Sequence, residues 1–153
     1  MRISGSYLAR IMGTPRTQSD WVDRINAFRG PGESVLDYGC GKGIKDRIPD
    51  ILEYDPGVVG KDKRPRPADL VICTNVLEYV ELDCLKDVLK DLRHLTLRMM
   101  FVVVSTKESP DYQIVKPADW WQSRLRNAGF EVYRHREPSR EWYMYEECQF
   151  KCL

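Results

Sequence analysis

Hydrophobic and polar positions form two kinds of pattern along this chain. Short, continuous apolar runs are typical of buried parallel strands. They occur at 35–36, 51–54, 68–74 and 99–104. Apolar residues three and four positions apart are typical of helices that pack one face on a sheet. This spacing predicts helices over 17–29, 82–95 and 117–128. Strands that alternate with helices indicate an α/β domain with a mostly parallel sheet.

The C-terminal part of the chain and the segment before Asp69 depart from a regular alternation. The runs 130–136 and 142–151 flank Glu137-Pro138-Ser139-Arg140 and predict an antiparallel hairpin. Asp69 follows Asp55 by only 14 positions, which is too short for a parallel strand and its crossover helix. We therefore expect one strand to be missing and a sheet edge to be exposed. The loop over 57–68 or a second subunit would cover that edge, so a homodimer is plausible.

A glycine-rich loop follows the first strand, in the stretch Ser34 to Gly43. Alternating glycines let the backbone turn sharply and approach a ligand closely, and a short helix, limited by Pro49 and the strand at Ile51, is expected to begin near Gly43. Asp37, at the strand end, would repel the pyrophosphate of a dinucleotide but would favour the cationic sulfonium and ammonium of S-adenosylmethionine. A second acid, Asp55, follows 18 positions later, which is the spacing of a ribose-binding acid.

The chain resembles the class I S-adenosylmethionine-dependent methyltransferases through Val35–Gly43, Tyr54–Pro56 and Ala68–Val80. The resemblance extends from about residue 18 to residue 150 and is closest to compact bacterial and bacteriophage members. It implies an α/β fold, a Rossmann-like three-layer sandwich with a mostly parallel sheet and a C-terminal antiparallel hairpin. The implied strand order, in the family's labels, is 2-1-4-5-7-6 with the usual third strand missing. We expect a single methyltransferase domain over 1–153, with an N-terminal extension over 1–16 and a lid-like helix over 17–29.

The resemblance also implies which residues bind S-adenosylmethionine. They are Asp37, Tyr38, Gly39, Cys40, Gly41, Gly43, Asp55, Pro56, Asn75, Val76 and Leu77. Asp55 would bind the ribose hydroxyls and Pro56 would border the adenine. The methionine part would be held by Asp37, Gly39, Cys40 and Gly41. Residues 75–77 would form the far wall. Each segment also has a simpler interpretation as an ordinary strand-to-helix turn or as a turn at Asp55-Pro56-Gly57.

Three aromatic residues are candidates for the chemistry and for the acceptor site. Tyr79 follows Leu77-Glu78 where relatives often carry histidine, so it is the candidate proton acceptor, although it could serve only as a wall because a phenol is a weak base near neutral pH. Tyr112 follows the fourth strand and could contact the acceptor. Trp120 could stack on a planar substrate, with Trp121 in the core.

The acceptor itself is not encoded in a recognisable motif. The chain lacks the Asn/Asp-Pro-Pro-Tyr/Phe signature of methylation on exocyclic amines of bases and the Pro-Cys pair of pyrimidine C5 methylation. We therefore predict methyl transfer to an unidentified acceptor. The alternative is a cofactor-binding partner or regulatory subunit without its own catalysis, and a third possibility is cleavage of the cofactor.

Composition limits the class of protein but does not identify a binding partner. The 153 residues are 42% hydrophobic and 31% charged with a net charge of +1, which gives no strong signal for nucleic acid or membrane binding, so a cytoplasmic location is expected. The five cysteines and two histidines lack metal-ligand spacing, so no metal site is expected. Lys61, Lys63, Arg64 and Arg66 form either a phosphate-attracting cluster or a solvated loop.

Overall fold

A computed structural model of the chain describes residues 19–134 and 147–153. The described strands are β1 (Val35–Tyr38), β2 (Leu52–Tyr54), β3 (Ala68–Thr74), β4 (Thr96–Ser105), β5 (Val132–Arg134) and β6 (Glu147–Cys152). They form a six-stranded sheet in the order β2-β1-β3-β4-β6-β5. β1 to β4 run parallel, whereas β6 is antiparallel to both β4 and β5.

This sheet confirms the predicted fold class. Translated into the family's labels, the observed order is 2-1-4-5-7-6, with the C-terminal hairpin antiparallel as expected. Residues 55–67 contain no helix or strand, so no described strand lies beyond β2, which pairs with β1 and forms one edge of the sheet. The third strand is missing because the chain between β2 and β3 is too short for a crossover connection.

Helices cover both faces of the sheet. They are α1 (Ser19–Phe28), α2 (Leu82–Leu95) and α3 (Ala118–Asn127). α2 and α3 share a buried cluster with Val71 and Val102 on one face. Ile25 of α1 belongs to a second cluster with Ile72 and Val103 on the other face. Because successive strand residues point to opposite faces, the uninterrupted apolar strands are buried by helices on both sides.

The expectation of a helix beginning near Gly43 is wrong. The amides of Arg47 and Ile48 both donate to the Ile44 carbonyl at 2.9 Å, which makes a single helical turn. Pro49 follows directly, and a proline restricts the preceding residue and cannot donate to a helical carbonyl. The turn nevertheless buries Ile44 and Ile48 against the sheet, in the same cluster as α1.

The predictions of a lid-like helix, an N-terminal extension and a hairpin turn have different outcomes. α1 packs on the sheet through Ile25 and through Phe28, whose ring centroid lies 5.0 Å from that of Phe101. Its action as a lid stays a prediction. The extension over 1–16 and the hairpin turn at 137–140 lie outside the described residues.

A hydrogen-bonded pair of side chains joins the segments that lead into β1 and β3. The backbone amide and hydroxyl of Ser34 each donate to Oδ2 of Asp69 at 2.8 Å, and they lower the pKa of that carboxyl. Because this pKa is lower in the folded state, the ionised carboxyl of Asp69 stabilises the fold at pH values above its unfolded-state pKa of about 3.9. This contribution is lost as the pH falls through the folded-state pKa.

We therefore expect Ser34→Ala to be destabilising at pH 7, and the difference from the native protein to shrink as the pH falls below about 4. Urea unfolding across this pH range measures the effect. Ser123→Ala, at an exposed position of α3, is the control and should show a difference that does not vary with pH. A pH-independent difference for Ser34→Ala would contradict the assignment.

Candidate cofactor and active site

The three sequence blocks meet at one edge of the sheet. Asp37 of β1 is paired in register with Glu53 of β2 and with Ile72 of β3. Because these strands are parallel, their carboxyl ends and the loops that follow them lie side by side. Ligands bind at this edge in open α/β sheets, and the fold therefore brings the glycine loop, Asp55 and Asn75 to one region.

The glycine loop is held by the end of β2. Gly39, Gly41 and Gly43 have φ angles of 76°, 55° and 78°, in the left-handed region that favours glycine. The amides of Gly39 and Cys40 donate to the Tyr54 carbonyl at 2.7 and 3.2 Å. The loop is thus shaped by bonds to its neighbouring strand.

Asp55 contacts the same loop. One carboxylate oxygen accepts the Gly41 amide at 2.8 Å and the other accepts the Gly57 amide at 2.9 Å, and the residue is fully buried. A carboxylate has further lone pairs for hydroxyl groups. A ribose hydroxyl could reach them only after the surrounding loop moves, so the ribose assignment of Asp55 stays a prediction.

Gly43 is required for packing as well as for its backbone angle. A Cβ at this position would overlap the carboxyl group of Glu53 and lie 2.8 Å from Nζ of Lys61. Glu53 Oε1 accepts the Ile44 amide at 3.0 Å. The space beside Gly43 is therefore filled by protein groups, and direct contact of Gly43 with a cofactor stays a prediction.

Sequence reasoning missed Glu53 and Lys61 as parts of this site. Glu53 lies on β2 two positions before Asp55, which directly follows that strand, and this two-residue spacing of acids is the signal that could have identified it. Lys61 was grouped with the basic run of the loop. Its ammonium pairs instead with Glu53 at 2.9 Å, and Arg64 pairs with Asp91 of α2 at 2.7 Å. Two of the four basic side chains, those of Lys61 and Arg64, thus form ion pairs within the domain.

A buried acid connects the loops that follow β3 and β4. Asn75 has a φ angle of 51°, and its side-chain amide donates to Oε1 of Glu78 at 3.0 Å. The same oxygen accepts the Ser105 amide at 3.0 Å, and the Glu78 carbonyl accepts the amides of Gln113 and Ile114. Glu78, which was not among the predicted site residues, therefore holds the segments that carry Asn75 and Tyr112 together.

The predicted catalytic and wall residues are largely buried. Tyr79 is 8% exposed, and its ring packs edge-on against that of Tyr112 with centroids 5.0 Å apart. Val76 and Leu77 belong to the hydrophobic cluster beneath the site. The structure thus brings Tyr79 and Tyr112 together, whereas the roles of Val76, Leu77 and Tyr79 toward ligands stay predictions.

Trp120 lies in a separate groove of about 500 Å³ between α2 and α3. The Arg124 guanidinium is 4.7 Å and the Lys116 ammonium is 5.8 Å from its ring centroid. These cations already use the indole ring as a stacking surface. Trp121 is fully buried, as expected for one of the pair. Stacking of Trp120 on a substrate stays a prediction.

Burial makes Cys40 and Tyr38 poor candidates for reactive groups. Desolvation, followed by the negative charge of Asp37, raises the pKa of the Cys40 thiol far above its usual range. Desolvation, followed by the negative charge of Asp91, raises the pKa of Tyr38 as well. Both side chains therefore stay neutral, and Cys40 is a small neutral side chain in the glycine loop and not a thiolate nucleophile.

The family comparison covers most of the chain. The profile of the methyltransferase domain family matches residues 9–144. The chain belongs to this methyltransferase family. Membership confirms the resemblance that the three sequence blocks indicated, and it implies S-adenosylmethionine as the cofactor of the domain.

Solved structures with the same fold are distant in sequence. An O-methyltransferase family protein from Burkholderia thailandensis has a TM-score of 0.64 and 14% identity, with 96% of this chain and 59% of that chain covered. The magnesium protoporphyrin IX methyltransferase from Synechocystis, solved with bound S-adenosylhomocysteine, has a TM-score of 0.63, 17% identity, and coverage of 95% and 92%.

The N-methyltransferase NodS from Bradyrhizobium japonicum, also solved with S-adenosylhomocysteine, has a TM-score of 0.64, 14% identity, and coverage of 97% and 98%. The methyltransferase domain spans about three fifths of the length of the first two solved chains that it matches. No curated protein matches the sequence.

The charge of the site fits S-adenosylmethionine. Asp37, Asp55 and Glu78 place buried carboxylates at or just beyond the carboxyl ends of β1 to β3, whereas the buried carboxylate of Glu53 is already paired with Lys61. Buried carboxylates are stabilised by a nearby positive charge. The cofactor carries a sulfonium and an ammonium, so the residues present suit it better than they suit a pyrophosphate.

Two further properties concern the part of the chain that the structure describes. It contains no group of three or more histidine, cysteine, aspartate or glutamate side chains that could hold a metal ion. None of its helices combines the length and apolar character needed to cross a membrane.

Proposed function

We propose that this methyltransferase domain transfers the methyl group of S-adenosylmethionine to an unidentified acceptor in the cytoplasm. The observation that carries the proposal is the set of buried carboxylates of Asp37, Asp55 and Glu78 at or just beyond the carboxyl ends of β1 to β3, the sheet edge where ligands bind. When bound, the cofactor supplies a methyl group on a sulfonium, which is already activated for displacement. The chain's residues then need to align the two reactants and exclude water.

Asp37 and the glycine loop are the residues that we expect to hold the methionine part. Asp37 is 9% exposed, so its carboxylate is largely desolvated and attracts a cation more strongly than a surface acid does. Tyr79 and Tyr112, packed edge to edge, would shape the acceptor side. We infer that Tyr79 accepts or orients a proton of the acceptor.

Removal of the Tyr79 hydroxyl tests that role. We expect Tyr79→Phe to retain cofactor affinity and to lower turnover by about 10- to 100-fold, because only the proton-accepting oxygen is lost. Tyr133→Phe, at an exposed tyrosine of the edge strand β5, is the matched control and should leave both properties unchanged. Calorimetry with S-adenosylhomocysteine and a turnover assay measure the two properties. Unchanged turnover in Tyr79→Phe would leave Tyr79 as a wall of the site.

A second candidate function is cofactor binding without catalysis, as a partner or regulatory subunit. It is favoured by the burial of Tyr79 and by the engagement of Asp55 with the Gly41 and Gly57 amides. A homodimer that covers the β2 edge would suit either function.

Product analysis separates the candidates. The purified protein is incubated with S-adenosylmethionine and fractionated lysate. We expect S-adenosylhomocysteine to accumulate only when an acceptor fraction is present. Retained but unconverted cofactor would indicate the binding function, and methylthioadenosine released without any lysate would indicate cleavage of the cofactor. Absence of binding at millimolar cofactor would contradict both main candidates.

A further inference from the structure

The glycine loop lacks the helix that was expected to follow it, and a lysine from another loop contacts its backbone. Nζ of Lys61 donates to the carbonyls of Gly41 at 3.1 Å and of Lys42 at 2.9 Å. It also pairs with Oε2 of Glu53 at 2.9 Å. A lysine ammonium has three donors, and these three acceptors use all of them.

The backbone of Lys61 is held by the same site. The Asp55 amide donates to the Lys61 carbonyl at 2.9 Å, and the Gly41 amide donates to the Asp55 carboxylate at 2.8 Å. With the bond from Lys61 Nζ to the Gly41 carbonyl, these contacts form a closed ring through Gly41, Asp55 and Lys61. A ring of bonds constrains each of its members more than an isolated contact does.

The environment of Lys61 makes its contacts stronger than those of a surface lysine. Its side chain is 23% exposed and that of Glu53 is 5% exposed. Exposed ion pairs contribute little because water screens them, whereas partly desolvated and hydrogen-bonded pairs are screened less. Lys63, two positions later, is exposed.

We propose that Lys61 is a positioning residue that orders the glycine loop for the cofactor, in place of the missing helix. The proposal rests on the proposed function for its ligand, but the ordering of the loop is a property of the ligand-free protein. The shortened loop between β2 and β3 thus has a role of its own: it supplies the cation that neutralises Glu53 and bonds the two loop carbonyls.

Amide hydrogen exchange of the ligand-free protein tests the ordering directly. We expect Lys61→Met to accelerate exchange at Gly41, Gly43 and Ile44, whose amides are bonded within the loop and to β2. Exchange in the centre of β4 should not change, which shows that the variant is folded. Lys63→Met is the matched control and should leave the loop unchanged. Equal exchange at the loop in Lys61→Met and the native protein would overturn the proposal.

Calorimetry with S-adenosylhomocysteine tests the consequence for the cofactor. We expect Lys61→Met to weaken binding by about 10-fold or more, since hydrogen bonds to a charged group are lost, and Lys63→Met to bind as the native protein does. Lys61→Arg keeps the charge and several donors and should bind more tightly than Lys61→Met. Equal affinities for Lys61→Met and Lys63→Met, or no recovery in Lys61→Arg, would overturn the proposal.

The two failures are distinguishable. Absence of S-adenosylhomocysteine binding by the native protein would contradict the proposed function. The exchange measurement on the ligand-free protein would still decide whether Lys61 holds the loop.

Discussion

Gly43→Ala is expected to destabilise the domain by about 2–5 kcal/mol. Alanine at a φ of 78° costs about 1–2 kcal/mol because of its Cβ. The same Cβ would overlap the Glu53 carboxyl group, which must move away and give up its bonds to the Ile44 amide and the Lys61 ammonium. Overpacking of this kind adds about 1–3 kcal/mol. Urea unfolding measures the free-energy change.

Gly60→Ala is the matched control for the backbone angle. Gly60 has a φ of 87°, and a Cβ there would meet no atom within 4 Å, so only the conformational cost should appear. A double-mutant cycle isolates the overlap: in a Glu53→Ala background, Gly43→Ala should cost about the same as Gly60→Ala does. Equal effects of Gly43→Ala and Gly60→Ala in the native background would show that Glu53 does not occupy the space.

Asp55→Ala is expected to weaken S-adenosylhomocysteine binding by about 1–3 kcal/mol, which is roughly 5- to 150-fold. The carboxylate is fully buried and accepts the Gly41 and Gly57 amides, so its removal leaves two amides without their acceptor and loosens the glycine loop. A contact with the ribose hydroxyls would add to this loss. Asp62→Ala, at an exposed acid of the same loop, is the control and should bind normally.

An analogue of S-adenosylhomocysteine without the two ribose hydroxyls separates the two causes. If Asp55 binds the hydroxyls, the analogue binds the native protein more weakly than S-adenosylhomocysteine does. The substitution Asp55→Ala then lowers the affinity for the analogue less than it lowers the affinity for S-adenosylhomocysteine. Equal losses for both ligands would show that Asp55 acts only by holding the loop. Unchanged affinity for S-adenosylhomocysteine in Asp55→Ala would contradict both roles.

Most of the helices were predictable because each depends on a local pattern, and the sheet order was predictable from the family resemblance. The three- and four-residue spacing of leucines predicted a helix over 82–95, and α2 occupies the same residues. The 14 positions between Asp55 and Asp69 ruled out a crossover strand, and residues 55–67 contain none. After Gly43, where Pro49 leaves room only for a short helix, the structure has a single helical turn instead of a helix.

The contacts within the site were not predictable in the same way. The acid at Asp55 was identified from its spacing, but its bonds to the Gly41 and Gly57 amides depend on how β2 lies beside the glycine loop. Lys61 was interpreted as part of a basic surface run, and the structure directs its ammonium into the loop. A run of charges indicates exposure on average but does not identify the partner of each charge.

The sequence by itself determined the missing third strand and, through three blocks of residues, the family, and the family resemblance implied the order of the strands. The three blocks and the missing strand depend on apolar periodicity, segment lengths and glycine or acid positions, all of which act between near neighbours in the chain. Only the tertiary structure decided that Lys61 donates to the carbonyls of the glycine loop, that Tyr79 packs on Tyr112 and that Trp120 lies in a separate groove. Those contacts form between segments that are distant in the chain. A pattern of near neighbours does not show which distant side chains come into contact.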